Sequence, residues 1–525
     1  MHMTDRQVDK NRVWKRFFIK ALLIVGATLL VFAGSGRVLA QGDDWTRPTV
    51  LSTLPDSPVP RFAWFPDIAI DELGLLHVVW CQTIPLEDGS LEEQVSYTRW
   101  DGTSWSEPND IVPPSPDIVR NAIVADLAGN LHLLFGGSVY SDDFALYHHK
   151  VPTGEAWLAR AWSTPHRINQ GVSYMGDMAV DSRGVIHVVY DDTIHRADEG
   201  EPALSDISYR RSTDGGQTWS VPVKLSPEPE RGSARPYIEV DDTDTVHVTW
   251  DVGWDRLAGE QSSDINNGVY VFSVDGGKTW ASPTVISYPD AEVVQLTAGS
   301  SGEGGVMLVW RATSRDEIFY QWSTDGGHSW GAPSVIPQVF ARPWTTPFDM
   351  YDMATDSAGR IHLLIVGRDS VDEDAPLGIH HLIWHGASWS DPMRVFVATG
   401  LYPEYPKIVV HEGNQLHAVW FTREGSLWDS ETGREVWYSS SQAAAPYQAV
   451  TPLPTRTPKP ATPTPSVAPT VTPYPKLELE DTGLPDGLYT ESDNVLQLAM
   501  ALSPVALVIL IVAAIKMGWL SRLRR

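Results

Sequence analysis

Charged and phenolic side chains recur at two aligned positions of an internal repeat, and they are the residues most able to do chemistry. Seven copies align on one turn position, and the two positions lie six and four residues before it. Arg120, Arg235 and Tyr405 occupy the first of these positions, and Asp67, Asp177, Tyr237 and Asp352 occupy the second. Several charged groups gathered near one axis form a plausible binding or catalytic site.

The repeat that carries these residues begins with a hairpin. Copies such as FPDIAIDELGLLHVVW at 65–80 and MGDMAVDSRGVIHVVY at 175–190 contain two short β-branched runs separated by an Asp/Gly turn. Such a pattern predicts a strand, a turn and a strand. Seven copies start at intervals of 55, 55, 60, 60, 55 and 55 residues, and the fifth is the weakest. A period of this length predicts a ring of repeated sheets.

A second hairpin completes each repeat and ends in the pattern Trp-x-x-Pro. This pattern follows six of the seven first hairpins, at Trp105, Trp162, Trp219, Trp280, Trp330 and Trp389, and the seventh repeat stops without it. The missing strand is predicted at 44–52, DWTRPTVLS, near the start of the chain. We therefore expect an all-β, seven-bladed β-propeller closed by its N-terminal strand, which removes exposed sheet edges. A six-bladed ring is the alternative, because the fifth repeat is degenerate.

The two ends of the chain predict secretion and anchoring. Residues 1–40 carry basic residues, an apolar run and a small-residue cleavage site, as in a signal peptide. After the propeller at 44–441, residues 445–494 form a Pro/Thr-rich stalk and linker, because such a composition favours extended spacers. Residues 495–515 are apolar and long enough for a transmembrane helix, and the basic tail at 516–525 is expected in the cytoplasm. The predicted location is the cell membrane, with a single pass and an extracellular propeller.

Composition restricts the partners of the chain. The net charge of the 525 residues is −27, and the loops predicted between second and third strands are strongly acidic. Nucleic acid requires a basic surface, so we expect no nucleic-acid partner. The single cysteine, Cys81, excludes an intramolecular disulfide, so stability must come from packing and ring closure. Much of that core is expected from the 22 tryptophans.

Three octets identify the type of propeller. STDGGQTW at 212–219, SVDGGKTW at 273–280 and STDGGHSW at 323–330 resemble the Asp-box, or bacterial neuraminidase (BNR) repeat, of sialidases and other secreted propellers. Within the octet, the Asp is expected to bond its own turn, the Gly pair to adopt positive φ and the Trp to pack between sheets. These tasks are structural. The tight turns should share one face of the ring, and the long loops should share the other.

The resemblance to sialidases implies roles for the aligned residues. A sialidase grips a carboxylate with arginines and uses a Tyr nucleophile, supported by Glu, together with an Asp acid/base. The corresponding candidates are Tyr237 and Tyr405 as nucleophiles, Asp67, Asp177 and Asp352 as acid/base groups, and Glu404 or Glu239 as supports. The candidate ligand-binding residues are Arg120, Arg235, Arg311, Arg368 and Arg423. The sequence departs from sialidases in its predicted blade count, its acidic loops and the lack of an Arg-Ile-Pro motif, whose nearest equivalent is Pro60-Arg61-Phe62.

Metal sites are not predicted from the recurring histidines. These residues occupy the same place in different repeats and should lie far apart around the ring, which favours packing roles. Asp191, Asp192 and Asp251 offer carboxylate oxygens that suit calcium, but their spacing matches no known calcium loop. No cofactor is therefore expected, with calcium the only candidate.

The sequence thus predicts a cell-surface, membrane-anchored, sialidase-like propeller that engages an extracellular glycan or protein ligand through its loop face. A binding module is the favoured hypothesis. An exo-acting glycoside hydrolase of sialidase type is the alternative, and it requires Arg120, Arg235, Tyr237 and Asp177 to converge in one pocket.

Overall fold

The computed structural model describes residues 39–40, 45–52, 62–86, 90–139, 144–193, 204–226, 232–253, 267–289, 291–302, 304–312, 315–341, 351–424 and 433–449. The chain divides into two units, Met1–Thr455 and Arg456–Arg525, and all described residues belong to the first. The predicted stalk beyond residue 449, the transmembrane helix at 495–515 and the tail at 516–525 lie outside the described residues, as do residues 1–38. Among the described residues, no helix has the length and hydropathy needed to cross a membrane.

The described residues form an all-β fold of 29 strands and two short 3₁₀ helices. The strands preceding the third repeat are β1 (Leu39–Ala40), β2 (Thr49–Val50), β3 (Phe62–Ile70), β4 (Leu76–Pro85), β5 (Leu91–Trp100), β6 (Asn109–Ser115), β7 (Ile118–Ala125), β8 (Asn130–Gly137), β9 (Ala145–Pro152) and β10 (His166–Arg167). The 3₁₀ helices, Thr153–Glu155 and Ala159–Ala161, lie between β9 and β10.

The third to fifth repeats follow with four strands each. They are β11 (Gly176–Val180), β12 (Ile186–Asp192), β13 (Asp206–Ser212), β14 (Val223–Lys224), β15 (Ser233–Val240), β16 (Val246–Val252), β17 (Asn267–Ser273), β18 (Thr284–Ile286), β19 (Val293–Ser301), β20 (Gly305–Ala312), β21 (Ile318–Ser323) and β22 (Ser334–Val335). The last two repeats contain β23 (Tyr351–Thr355), β24 (Ile361–Gly367), β25 (Gly378–Trp384), β26 (Met393–Ala398), β27 (Leu401–His411), β28 (Gln415–Glu424) and β29 (Arg434–Gln442).

These strands form a β-propeller, but its sheets do not correspond one to one with the seven repeats. Repeats two to six each form a separate sheet, with β1 added at the edge of the sixth, so five blades contain a single repeat. Repeats one and seven lie together in an eight-stranded sheet, because a parallel bridge between Arg434 and Phe62 joins β29 to β3. The predicted count of seven separate blades is therefore corrected, and so is the alternative of six. The degenerate fifth repeat does form its own sheet, β19 to β22.

The N-terminal strand pairs with the last strand of the chain, as the missing Trp-x-x-Pro pattern predicts. Strand β2 is antiparallel to β29, with Thr49 opposite Tyr438 and Val50 opposite Trp437. Trp45 also bridges to Ser441. The two ends of the propeller sequence thus share one sheet, and the ring is closed.

The recurring histidines are buried parts of a repeated hydrogen-bond relay. In the third repeat, His187 lies 3.5 Å from the turn residue Asp181 and 2.6 Å from the hydroxyl of Tyr209. Tyr209 lies on the third strand of its repeat, and three other repeats also have a tyrosine at this position: Tyr97 contacts His77, Tyr270 contacts His247 and Tyr438 contacts His417. Two repeats have a histidine there instead: His148 contacts His132, and His381 contacts His362. These contacts fit the predicted packing role.

The Asp-box turns have the predicted structural role. In the box at 212–219, Asp214 accepts hydrogen bonds from the backbone N–H of Thr218 at 2.8 Å and from its hydroxyl at 2.6 Å. The hydroxyl of Thr218, followed by its backbone N–H, lowers the pKa of Asp214 to about 2. The box of the fifth repeat contacts the first-hairpin turn through Gly326 N–H and Gly304 O at 2.8 Å, so both turns share a face.

Candidate functional site

A β-bulge interrupts the innermost strand of five repeats at the same place. The bulge residue has a positive φ, between 50° and 59°, although it is never glycine. The five residues are Phe65, Arg120, Arg235, Gln295 and Tyr405. At each one, the pairing of the inner strand with the second strand shifts its register. Bulges re-aim side chains and concentrate near functional sites.

Sequence reasoning missed these bulges, although a signal was present. Proline follows the bulge residue in three repeats, at Pro66, Pro236 and Pro406. Proline has no backbone N–H for a strand ladder, and inside a sheet it is typical of bulges and edges. A Pro at one fixed position of an inner strand therefore indicates where the ladder is interrupted.

The inner strands of several repeats enclose a small cavity at their centre. Its volume is about 40 Å³, and its polar lining includes Arg120, Asp177, Arg235, Tyr237, Tyr405 and Lys407. Arg120, Arg235, Tyr237 and Asp177 therefore do converge in one pocket. Arg120 and Asp177 lie in the first halves of β7 and β11, and Arg235 and Tyr237 are the third and fifth residues of β15. A volume of this size holds a few water molecules or one small substituent.

The three candidate acid/base carboxylates connect neighbouring repeats. Asp67 accepts a hydrogen bond from the backbone N–H of Ile123 at 2.7 Å, and Asp177 accepts one from Ile238 at 3.0 Å. Asp352 accepts the equivalent bond from Ile408 at 2.8 Å. In each case the donor lies on the inner strand of the following repeat. These carboxylates therefore hold the ring together as well as facing its axis.

Lys407 is the cation of this cluster, and sequence reasoning did not select it. Its ammonium group lies 5.5 Å from the ring centre of Tyr237 and 5.3 Å from that of Tyr405. Burial alone lowers the pKa of Lys407, but the charges of Tyr405 and of Asp352, Asp177 and Asp67 outweigh it and raise the pKa well above its usual value. Lys407 thus stays charged and balances the axial carboxylates.

The pKa values of two axial carboxyls are raised towards neutrality. Burial raises the pKa of Asp67 to about 7, against the opposing influence of Lys407 and of the N–H of Ile123. Burial likewise raises the pKa of Asp352 to about 6, again opposed by Lys407. Perturbed carboxyls in a cavity are typical of functional sites, and also of buried structural ion pairs.

Tyr237 and Asp352 are the pair in the cavity that most resembles a nucleophile with its general base. The Tyr237 hydroxyl donates a hydrogen bond of 3.2 Å to Asp352 Oδ1. Burial, followed by the charge of Asp352, raises the pKa of Tyr237 well above its usual value. The phenol therefore keeps its proton near neutral pH. Of the predicted Glu supports, Glu239 accepts a hydrogen bond from Ser300, and its charge also raises the pKa of Tyr237. Glu404 is paired with Arg423.

The two arginines of the cavity differ in their surroundings. The guanidinium of Arg120 lies 5.1 Å from the ring centre of Phe65 and 5.5 Å from that of Tyr405. Arg235 forms a buried ion pair of 2.6 Å with Asp251, which also accepts the N–H groups of Gln295 and Leu296. The charge of Arg235 is therefore balanced within the protein.

The other three predicted ligand-binding arginines do not line the cavity. Arg423 forms a buried ion pair of 2.6 Å with Glu404. Arg368 is fully buried and donates to the carbonyl of Ala341 at 2.8 Å, with Asp316 at 3.1 Å. Arg311 is buried in β20 opposite Val294. Their role in ligand binding stays a prediction, and the structure places each of them as a buried side chain outside the lining of this cavity.

The carboxylates considered for calcium are engaged with hydrogen-bond donors. Asp191 accepts from the hydroxyl of Ser173 and from two backbone N–H groups, those of Tyr174 and Met175. Asp192 accepts hydrogen bonds from the backbone N–H groups of Gln170 and Gly171, and Asp251 forms an ion pair with Arg235. Because donors already occupy these oxygens, these residues do not fit a calcium site. The described part of the chain contains no cluster of three His, Cys, Asp or Glu side chains arranged to hold a metal.

The chain matches one family of known proteins and is similar to several solved structures. Residues 157–418 match the family described as BNR repeat-like domain. A comparison with curated proteins gave no significant match. Among solved structures, the chain is similar to a protein of unknown function from Dyadobacter fermentans DSM 18053, with 14% identity and a TM-score of 0.46 over 77% of this chain and 99% of that chain.

Two carbohydrate-active enzymes of known structure are also similar over about three quarters of this chain. The NanB sialidase of Streptococcus pneumoniae is 14% identical, with a TM-score of 0.43 over 75% of this chain and 70% of that chain. A polysaccharide lyase of family PL25, an ulvan lyase, is 12% identical, with a TM-score of 0.48 over 74% of this chain and 95% of that chain.

Proposed function

We propose that this β-propeller, whose residues 157–418 match the BNR repeat-like domain, is a cell-surface, sialidase-like module that binds extracellular glycans. The observation that carries the proposal is the convergence of Arg120, Tyr237, Tyr405 and Lys407 on one axial cavity. Guanidinium, ammonium and phenol groups are donors that suit the hydroxyl and carboxylate groups of a sugar.

The size and electrostatics of the cavity favour binding over turnover. A volume of about 40 Å³ admits a substituent of a sugar rather than a whole ring. Asp67, Asp177 and Asp352 each accept a hydrogen bond from a backbone N–H of the following repeat. These hydrogen bonds restrain the carboxylates from moving towards a substrate. The raised pKa of Tyr237 keeps its phenol in the donor form.

A second candidate function is an exo-acting glycoside hydrolase of sialidase type. The hydrogen bond between Tyr237 and Asp352 favours it, because a carboxylate in this position is able to accept the proton of an attacking phenol. The pKa of Asp352, about 6, leaves that carboxyl mostly ionised at neutral pH.

The two functions are separated by testing binding and turnover on the same protein. The full-length chain, purified in mild detergent, is applied to a glycan array and incubated with a fluorogenic sialoside. For a binding module we expect glycan retention that Arg120→Ala abolishes, with no product. The control is Arg160→Ala, which removes an exposed arginine from a 3₁₀ helix. Turnover that disappears in Tyr237→Phe would instead establish the hydrolase.

A further inference from the structure

Trp45 occupies a distinctive position in the strand segment that closes the ring. It belongs to the Trp-x-x-Pro pattern at 45–48, the seventh of the chain, and its side chain is buried. The indole N–H donates a hydrogen bond of 3.3 Å to His381 Nδ1. The two rings meet edge to face, with centres 5.3 Å apart. The closing segment is therefore attached to a titratable side chain of the sixth repeat.

Comparable tryptophans in other repeats lack such a bond. Trp219, Trp280 and Trp330 each pack edge to face against the strand-three residue of the preceding repeat, as Trp45 does. The indole nitrogens of these three residues have no hydrogen-bond partner. Trp45 thus combines the shared packing position with a donor–acceptor contact to a histidine.

The donors and acceptors around His381 permit one arrangement of protons. An indole N–H only donates, so His381 Nδ1 must be unprotonated and His381 Nε2 must carry the proton of the neutral ring. His381 Nε2 then donates to His362 Nδ1, 2.8 Å away. His362 Nε2 in turn donates to Asp356 Oδ2 at 3.0 Å. Both histidines are therefore neutral when all three hydrogen bonds are formed.

An additional proton has no place in this relay. A proton on His381 Nδ1 would face the indole N–H of Trp45, and a proton on His362 Nδ1 would face the N–H of His381. Burial, together with the neighbouring His362, lowers the pKa of His381 well below its usual value. Among the described charged groups nearby, Asp356 belongs to the relay and also binds Arg360, and Arg47 of the closing segment is exposed. The residue opposite His381 on β26 is the uncharged Met393.

We propose that Trp45, His381 and His362 form an acid-sensitive latch on the N-terminal closing segment. Mild acid protonates His381 once its bond to Trp45 has opened, and this favours the release of residues 45–52 from β29 before the remaining sheets open. Because the folded state disfavours the protonated histidine, the stabilisation is present above the ordinary histidine pKa of about 6.5 and is lost as the pH falls below it.

Hydrogen exchange of the full-length chain in detergent measures the latch directly. Backbone amides of residues 45–52 are compared between pH about 7.5 and about 5, after correction for the intrinsic exchange rate. We expect protection to fall about tenfold in mild acid, the effect of one pKa unit. The outer strand β18 (Thr284–Ile286) follows Trp280, which packs against Tyr209 instead of a histidine, and it should keep its protection. Equal behaviour of the two segments in the wild type would overturn the proposal without any variant.

Two variants assign the effect to the relay. Trp45→Phe keeps an aromatic ring but removes the N–H, so His381 Nδ1 becomes free to accept a proton. We expect weaker protection at neutral pH and a smaller fall on acidification. His148→Asn alters the pair that His148 forms with His132 in the second repeat, and it should leave the pH response of residues 45–52 unchanged. A full response in Trp45→Phe, or its loss in His148→Asn, would contradict the latch.

Discussion

The hydroxyl of Tyr237 reaches across the propeller axis to Asp352, 3.2 Å away. The two residues belong to the fourth and sixth repeats, whose inner strands β15 and β23 are not neighbours in the sequence of repeats. The ammonium group of Lys407 also lies near the aromatic ring of Tyr237. These contacts mean that side chains cross the centre of the propeller. The cavity is narrow for this reason, and the axial residues form one coupled cluster.

Removal of the Tyr237 hydroxyl tests this cross-axis contact. Tyr237→Phe deletes one hydrogen bond to a carboxylate, so we expect the free energy of unfolding to fall by about 1.5–3 kcal/mol. The loss should also raise the pKa of Asp352, because the Tyr237 hydroxyl lowers it. Denaturant unfolding and a carboxyl NMR titration measure the two effects. An unchanged Asp352 titration would show that the contact does not form in solution.

Replacement of Lys407 tests the balance of charge at the axis. Lys407→Met leaves Asp67, Asp177 and Asp352 without their cation, and breaking a buried pair typically costs about 3–5 kcal/mol. Denaturant unfolding at neutral pH measures the loss, which should shrink in mild acid as carboxyls become protonated. Lys224→Met is the control, since its partly exposed pair with Asp206 should contribute only about 0–1 kcal/mol. Similar losses in both variants would contradict an axial role for Lys407.

Burial of Asp67 should make the free energy of unfolding decrease as the pH rises. Its pKa rises from 3.8 to about 7 on folding, so the folded state binds the proton more tightly. The contribution of Asp67 is therefore most favourable below its unfolded pKa and is lost as the pH rises through the folded value of about 7.

The Asp67→Asn variant isolates this contribution, because it cannot ionise. Its free energy of unfolding should fall less than that of the wild type between pH about 4 and about 7. Denaturant unfolding across this range provides the measurement. Ser182→Ala, which removes an exposed hydroxyl bond to Asp244, should retain the wild-type slope. A wild-type slope in Asp67→Asn would exclude Asp67 as its source.

Sequence reasoning predicted the features that depend on periodicity. The repeat indicated the hairpins, the Asp-box turns and the pairing of β2 with β29, because each follows from residue types at fixed spacing. The axial residues Arg120, Arg235, Tyr237 and Asp177 were found for the same reason. The parallel bridge between Arg434 and Phe62 was not predictable, because it joins ends of two repeats that are far apart in the chain.

The features of the site that sequence reasoning left out have a common cause. Arg368 and Arg423 were selected as ligand-binding candidates because they begin loops, but the structure pairs them with Asp316 and Glu404, which lie on other strands and loops. A one-dimensional pattern does not reveal which acid a long side chain meets. Lys407 was overlooked because its role depends on carboxylates from three other repeats, which only the closed ring brings together.

Two glycines of the Asp-boxes allow the cost of a left-handed backbone to be distinguished from the cost of a steric clash. Gly277 has a φ of 75°, and a Cβ there would collide with the hydroxyl of Tyr209 in the preceding repeat. Gly326 has a φ of 71°, but a Cβ there would meet nothing within 4 Å. Ala at position 326 should therefore cost about 1–2 kcal/mol from the left-handed backbone alone. At position 277 overpacking should add about 1–3 kcal/mol.

Thermal unfolding of the full-length Gly277→Ala and Gly326→Ala variants gives the comparison. We expect the melting temperature to fall further in Gly277→Ala, because Tyr209 must move and its 2.6 Å bond to His187 is weakened. The double variant Gly277→Ala with Tyr209→Phe should recover part of the difference by removing the colliding oxygen. Equal melting temperatures for the two single variants would mean that the turn and the relay of the preceding repeat are not in contact.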